Sequence, residues 1–237
     1  MFRIRLVLLS ALVVLMAGMA MSASASATTR WLVCEKVELK GKGKYKTDEC
    51  KEEGGSKEWE KEPIRAGESW AFDGEGGESK LETSRLTIKC GEDQTVADPL
   101  ESLGGIWYEI EFKTCKVVGH SECIVSKDVL NLKGKLGGTI IEETGGTSTT
   151  LELTLEPGSE FTINGSGCTL KGTTKLKGKL TCQIPNLPVM KIEHEIVCKP
   201  SGSEIEGESE GEKAKEIKFT NTEKVWLVGH NTWWGAE

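Results

Sequence analysis

Ile106-Trp-Tyr-Glu-Ile-Glu-Phe112 places Ile106, Tyr108, Ile110 and Phe112 at every second position, with Trp107, Glu109 and Glu111 between them. A repeat of two is the side-chain period of an extended strand; a helix needs apolar residues three and four apart. The pattern continues outward in both directions. Upstream, Leu86, Ile88 and Cys90 alternate. Downstream, Leu151, Leu153 and Leu155 share one face, and Phe161 and Ile163 flank Thr162. Met190, Ile192, His194, Ile196 and Cys198 alternate with Lys191, Glu193 and Glu195, and Ile217 and Phe219 flank Lys218 before the run from Val225 to Val228. Turn formers punctuate these runs: Asp98-Pro99, Gly104-Gly105, Gly137-Gly138, Gly145-Gly146, Pro157-Gly158 and Asn164-Gly165. The spacing predicts an all-β protein, an antiparallel sandwich or barrel. No strand–helix alternation of the doubly wound kind is present.

The chain opens with Arg3 and Arg5, then an apolar stretch from Leu6 to Met21, then Ser22-Ala-Ser-Ala-Ser-Ala27. Basic, apolar and small-residue regions in that order make residues 1–27 a secretory signal peptide. The apolar stretch is short for a membrane span, which takes about 20 residues. Residues 28–237 are then expected as a single exported domain, extracellular or associated with the cell envelope, without a stable membrane anchor after cleavage.

Thirty basic residues face 37 acidic ones, a net charge of −7, and loss of Arg3 and Arg5 with the signal shifts it to −9. An acidic surface repels phosphate backbones, which argues against a nucleic-acid partner. Hydrophobic residues are only 37% of the chain, so covalent staples are expected to supplement a thin core. Eight cysteines, Cys34, Cys50, Cys90, Cys115, Cys123, Cys168, Cys182 and Cys198, all follow the signal. An even count in an oxidising compartment predicts disulfides, and the absence of C-x-x-C spacing argues against a thiolate metal site. Short separations favour Cys34–Cys50, Cys115–Cys123 and Cys182–Cys198, which leaves Cys90–Cys168.

Two acidic, apolar-poor segments, 51–62 and 201–212, read as mobile loops. Two strings occur twice: Leu132-Lys-Gly-Lys-Leu136 returns as Leu176-Lys-Gly-Lys-Leu180, and Trp31-Leu-Val33 as Trp226-Leu-Val228. The first pair marks equivalent strands or simply a composition rich in Lys, Gly and Leu. The second predicts that the terminal strands pair, closing the sheet and hiding an edge.

The Ile88/Cys90 strand, Phe112-Lys-Thr-Cys115, Cys123 eight residues on and a Phe-led strand reaching Cys168 resemble a paralogous set of exported bacterial β proteins of unknown function. Glycine usually precedes the second cysteine of that pattern; Thr114 stands there in this chain. The resemblance implies a disulfide-bonded β fold and assigns no catalytic residue.

Strings that suggest chemistry fail on context. Gly207-Glu-Ser-Glu-Gly211 matches a nucleophile elbow, but Ser209 lies in an acidic segment rather than at a strand-to-helix turn. His194 falls on an apolar strand face, where a hydrogen-bonded structural histidine is expected, and nothing pairs it with a nucleophile; His120 lies in a hairpin loop between Cys115 and Cys123, and His230 in a Trp-rich tail. Glu109 and Glu111 share a face, as glycosidase carboxylates do, yet in a chain this rich in Glu a solvated face explains them. No metal- or cofactor-binding motif is found. Trp226, Trp233 and Trp234 are the recognition-like residues, an aromatic contact surface or a plug for the core.

The expected function is a non-enzymatic structural or binding role at or outside the cell envelope, with an envelope polysaccharide or protein as partner. Two alternatives are a secreted carbohydrate-binding or carbohydrate-active protein, and a secreted inhibitor presenting a loop closed by Cys115 and Cys123. Mass spectrometry of the exported protein is expected to find its N-terminus at Ser26 or Thr28; an intact segment 1–27 on cytoplasmic protein would overturn the export reading.

Overall fold

The computed structural model describes residues 30–38, 41–55, 57–64, 70–99, 104–141, 146–187, 189–209, 212–228 and 232–236. Residues 1–27, expected as a signal peptide, and His230 lie outside them. The described residues form strands β1 (Trp31–Lys36), β2 (Trp59–Pro63), β3 (Phe72–Gly76), β4 (Ser79–Glu82), β5 (Thr87–Cys90), β6 (Glu92–Pro99), β7 (Gly105–Lys113) and β8 (Lys116–Val117). They continue with β9 (Ile124–Ile141), β10 (Thr147–Leu155), β11 (Glu160–Asn164), β12 (Gly172–Pro185), β13 (Glu193–Cys198), β14 (Glu204–Ser209), β15 (Glu212–Leu227) and β16 (Trp234–Ala236).

The pairings make a closed barrel. Strands β3 and β4 lie end to end along β15, β5 and β6 along them, and β7 and β8 along those. Strand β9 pairs with β7 and β8 on one side and with β10 and β11 on the other. Then β12 pairs with β10 and β11, β13 and β14 pair with β12, and β15 returns to them. Every pairing is antiparallel, and the eight strand paths follow chain order, the last lying against the first. Such up-and-down closure leaves no free edge. Between the sandwich and barrel expected from the sequence, the chain adopts the barrel.

Alternation decides which way each residue points. Tyr108, Ile110, Leu132, Leu151, Leu153, Leu180, Ile184 and Phe219 are buried inside. Lys133, Lys135, Glu152, Lys177, Glu193, Glu206 and Lys224 are exposed outside. A filled apolar interior within a charged exterior is the inverse of a membrane-spanning barrel, whose outer band is apolar. The repeated Leu-Lys-Gly-Lys-Leu strings occupy comparable places in β9 and β12. A Cβ on Gly134 would lie 1.9 Å from the carbonyl oxygen of Glu152, and one on Gly178 would lie 2.0 Å from that of Glu204. Only glycine permits backbones that close, so the repetition has a steric basis.

Four disulfides are formed, and two of them differ from the separation-based expectation. Cys34–Cys50 and Cys182–Cys198 are as expected; the other two are Cys90–Cys115 and Cys123–Cys168, in place of Cys115–Cys123 and Cys90–Cys168. Register is the reason. With Ile88 opposite Val117 and Lys89 opposite Lys116, Cys90 faces Cys115. Lys116 lies opposite Ile124, which puts Cys115 and Cys123 two positions out of step. The segment 116–122 is therefore not closed by a disulfide of its own. Thr114, at φ 53°, occupies the left-handed region glycine enters freely, and its hydroxyl accepts a hydrogen bond from the Gly91 amide at 3.2 Å.

Both acidic segments contain strand. The 51–62 segment runs into β2, and 201–212 forms β14 and the start of β15, with Ile205 and Gly207 buried. Two apolar inward positions in a charged stretch suffice once a barrel supplies the partner strands.

The terminal strands do lie together, by a different register. Trp31, Leu32 and Val33 pair with Ala236, Gly235 and Trp234, and β2 flanks β1 on the other side. Trp226-Leu-Val228 is not the partner, because both edges of β15 there are taken, by Asp73 of β3 and Glu193 of β13. The small β16–β1–β2 sheet caps one barrel end. Trp234, 1% exposed, packs at 5.9 Å from Trp31, 4.7 Å from Phe72 and 4.3 Å from His194 between ring centroids. Its indole donates to the Ile192 carbonyl at 2.9 Å.

Non-reducing peptide mapping is expected to recover Cys90 linked to Cys115 and Cys123 linked to Cys168; a Cys115–Cys123 peptide would contradict the register. Trp234→Ala is expected to cost about 3–5 kcal/mol of stability by emptying the cap, whereas Trp226→Ala, on the outer face, should cost far less, as read by denaturant melts.

Candidate functional site

Strand β3 reads Phe-Asp-Gly-Glu-Gly, and Gly77 follows. Glycine forms strands poorly and leaves no side chain to pack, so its presence marks a place where something else approaches the backbone. Gly76 pairs with Asp93 of β6 on one side and Glu223 of β15 on the other. Both acids occupy inward positions. Asp93 precedes Thr95 and Ala97 on the inner face of β6, and Glu223 sits between Asn221 and Val225 on that of β15. A Cβ on Gly76 would fall 2.3 Å from Asp93 Oδ1. The missing side chain is thus what makes room for the carboxyl.

Asp93, Asn221 and Glu223 are 4%, 3% and 1% exposed. Thr95 Oγ1 donates to Glu223 Oε2. Both oxygens of Asp93, Oε1 of Glu223 and both amide atoms of Asn221 are buried without a hydrogen bond of good geometry. Burial pushes the Asp93 carboxyl up to about 7; the Asn221 side chain and the Gly76 amide oppose this from poorly aligned positions. Burial likewise pushes Glu223 up to about 8, opposed by the Thr95 bond and reinforced by the nearby Asp93 charge. This pair was missed in the sequence, although a signal existed: Asp93 shares the parity of Ala97, and Glu223 that of Ile217 and Phe219.

On the outer side of the same strands lies a cleft of about 850 Å³. Asp73, Glu75, Glu92 and Glu195 line it, with Trp226 on its wall. Glu78, also lining it, is held by Lys89 at 3.0 Å. The two lysines at its rim are engaged as well: Lys113 donates to Gln94 at 2.8 Å, and Lys224 pairs with Glu193 at 3.0 Å. The second crevice, among Leu81, Ile88, Phe112, Leu130, Phe161 and Phe219, holds only about 20 Å³, room for one water-sized group.

The three recognition-like tryptophans do not form one surface. Trp226 is half-buried in the cleft wall, and Trp233 packs beside Tyr45 and the Cys34–Cys50 bridge with Lys51 Nζ 4.1 Å from its ring centroid. Trp234 is core, because β16 turns its ring into the barrel end. His194 is 1% exposed and donates through Nε2 to the Trp234 carbonyl at 2.9 Å; burial holds it down at about 4. Glu109 and Glu111 stand on the outer face of β7, where Glu111 adds to the burial that lifts Asp128 to about 6. Ser209 ends a strand paired with Thr174 and Glu212, not an elbow; Gly211 lies outside the described residues. His120 meets Glu122 at 3.2 Å in an exposed turn. Two groupings with metal-ligand spacing, Cys90/Cys115/Asp128 and His120/Glu122/Cys123, contain cysteines already committed to disulfides.

Comparison with family models, characterised proteins and solved structures returns no match.

The buried acids make stability fall as pH rises. Asp93 and Glu223 hold their protons in the folded state up to about 7 and about 8, but release them near 4 when unfolded, so between those limits folding takes up protons. His194 acts oppositely and only between about 4 and its ordinary value near 6.5. Two groups outweigh one. In buffer free of divalent cations the melting temperature is expected to fall steadily from about pH 5 to about pH 8, and Asp93→Asn with Glu223→Gln should flatten that fall. An unchanged slope in the double variant would contradict the assignment.

Proposed function

We propose that the protein is an exported, non-catalytic binding module acting at or outside the cell envelope, and that the cleft over β3 holds its ligand. The cleft itself is the observation that carries the reading: outward carboxylates from three strands converge on one depression, its lysines are engaged at the rim, and one wall is an indole. Carboxylates attract positive charge, and a tryptophan face accepts both sugar rings and cations. The ligand class that uses both is an amine-bearing glycan. The four disulfides are compatible with an oxidising, extracellular setting.

The non-catalytic part of the proposal rests on reach. A general acid or base must come within hydrogen-bond distance of its substrate. Asp93 and Glu223, whose proton affinity is raised most among the described carboxyls, border the cleft but are only 4% and 1% exposed on inward strand positions. The outer carboxylates are solvated and have no companion nucleophile.

A deacetylated chitosan oligosaccharide, titrated by calorimetry, is expected to bind in a salt-sensitive manner, and Glu75→Gln with Glu92→Gln or Trp226→Ala should each weaken binding about tenfold, as the loss of roughly 1–2 kcal/mol implies. The fully acetylated oligosaccharide should bind much less. Equal binding of both would favour a neutral-sugar platform, and binding of neither would overturn the proposal.

A further inference from the structure

We propose that Asp93, Glu223, Asn221 and Thr95 form an interior site for one calcium ion, enclosed by the barrel behind Gly76. Four polar side chains project from two strands into the interior, with the buried Ser79 in register beside Asn221, and Asp93 and Glu223 flank Gly76, which has no side chain to separate them. Five of their polar atoms are buried without a hydrogen bond of good geometry: both carboxyl oxygens of Asp93, which the Asn221 amide and the Gly76 N–H approach poorly aligned, Oε1 of Glu223, and the oxygen and nitrogen of the Asn221 amide. Buried polar atoms are normally partnered, and a cluster left open in this way is costly unless something completes it.

The chemistry of the cluster specifies what completes it. The described buried polar residues include no lysine or arginine, and the one basic side chain among them, His194, is turned to Trp234. The lysines nearest in the fold, Lys113 and Lys224, point outward and are engaged there. When they ionise, these two carboxyls find no counter-charge from the protein in the barrel interior, and a divalent cation that displaces their protons supplies it with no net charge left over. The available donors are all oxygens: two carboxylates able to bind through one or both atoms, an amide carbonyl and a hydroxyl. That is a hard-cation set. Calcium fits it better than magnesium. Calcium takes six to eight oxygens with tolerant geometry, whereas magnesium keeps several waters in a strict octahedron, for which a barrel filled with side chains has little room. Gly74, Gly76 and Gly77 line the cleft together with Asp93 and Glu223 themselves, and its outer carboxylates concentrate cations there. The inference does not depend on the glycan reading, which concerns the outer face.

The test is calcium titration of the disulfide-intact exported protein after dialysis against EDTA, followed by calorimetry and by thermal melting. One ion per chain is expected, with a melting temperature that climbs as calcium is raised through the millimolar range, and a smaller response to magnesium. Asp93→Asn with Glu223→Gln should abolish both signals while the variant remains folded in EDTA, since it removes buried charge without changing shape. Where that double variant does not fold, Glu223→Gln alone is expected to lower affinity at least tenfold. Glu75→Gln with Glu92→Gln, on the outer face, should leave the stoichiometry at one; this separates failure of the interior site from failure of the glycan reading. No calcium response in the native chain, or a response that survives loss of both interior carboxylates, would overturn the proposal and assign the pair to a shared proton instead.

Discussion

The pairing of β15 with β3 and β4 is the contact on which the rest of the molecule depends, because it joins the end of the strand series to its beginning and turns a sheet into a barrel. A chain with 37% hydrophobic residues has few apolar side chains with which to cover two broad sheet faces. Closure solves this differently. It gives every inward side chain a surrounding wall, so that one apolar residue at every second position is enough, and it removes the edges that an open acidic sheet would expose. The same contact brings Gly76 between Asp93 and Glu223, residues far apart in the chain, so the fold's closing seam and its most unusual polar cluster are one place.

Around that seam the chain is reinforced where strands are short. Cys90–Cys115 ties the brief β5–β8 pairing, Cys123–Cys168 ties the turn after β11 to the start of β9, and Cys182–Cys198 joins register partners in β12 and β13. Each closes a loop worth about 2–4 kcal/mol in the unfolded chain. The end cap works by burial instead. Trp31, Phe72, Trp234 and His194 pack as a ring cluster, and the Trp234 carbonyl accepts from both His194 and the Lys191 amide. A buried neutral histidine is the compatible choice there, since its Nε2 proton reaches the second lone pair of a carbonyl that the Lys191 amide already bonds.

The inner and outer faces of the seam differ in chemistry. Outside, carboxylates and an indole line the cleft proposed above as the ligand site. Inside, two carboxyls sit where apolar residues would be more stable, and natural cores retain such groups where they are completed by a proton, a partner or an ion. The physical tension between an apolar barrel and two acids is what distinguishes this chain from a barrel of the same topology filled with Leu and Val.

Much of this was legible in the sequence. Period-two alternation fixes which residues point inward, since it is a local property of extended backbone, so Ile106–Phe112, Leu151–Leu155 and Ile217–Phe219 announced an antiparallel β fold and the oxidised cysteines could be expected from count and compartment. His194 as a buried structural residue followed from the same parity. Parity does not say which strands meet, or in what register. For that reason sequence separation points Cys115 to its nearest cysteine while register gives it Cys90, and string similarity points Trp31 to Trp226 while register gives Val33 to Trp234. It is also why Asp93 and Glu223 passed as two acids among 37. Each is unremarkable on its own strand, and only closure of the barrel, with a glycine between them, sets one against the other out of water, because proximity across a sheet is decided by long-range hydrogen-bond register and not by anything a single strand encodes.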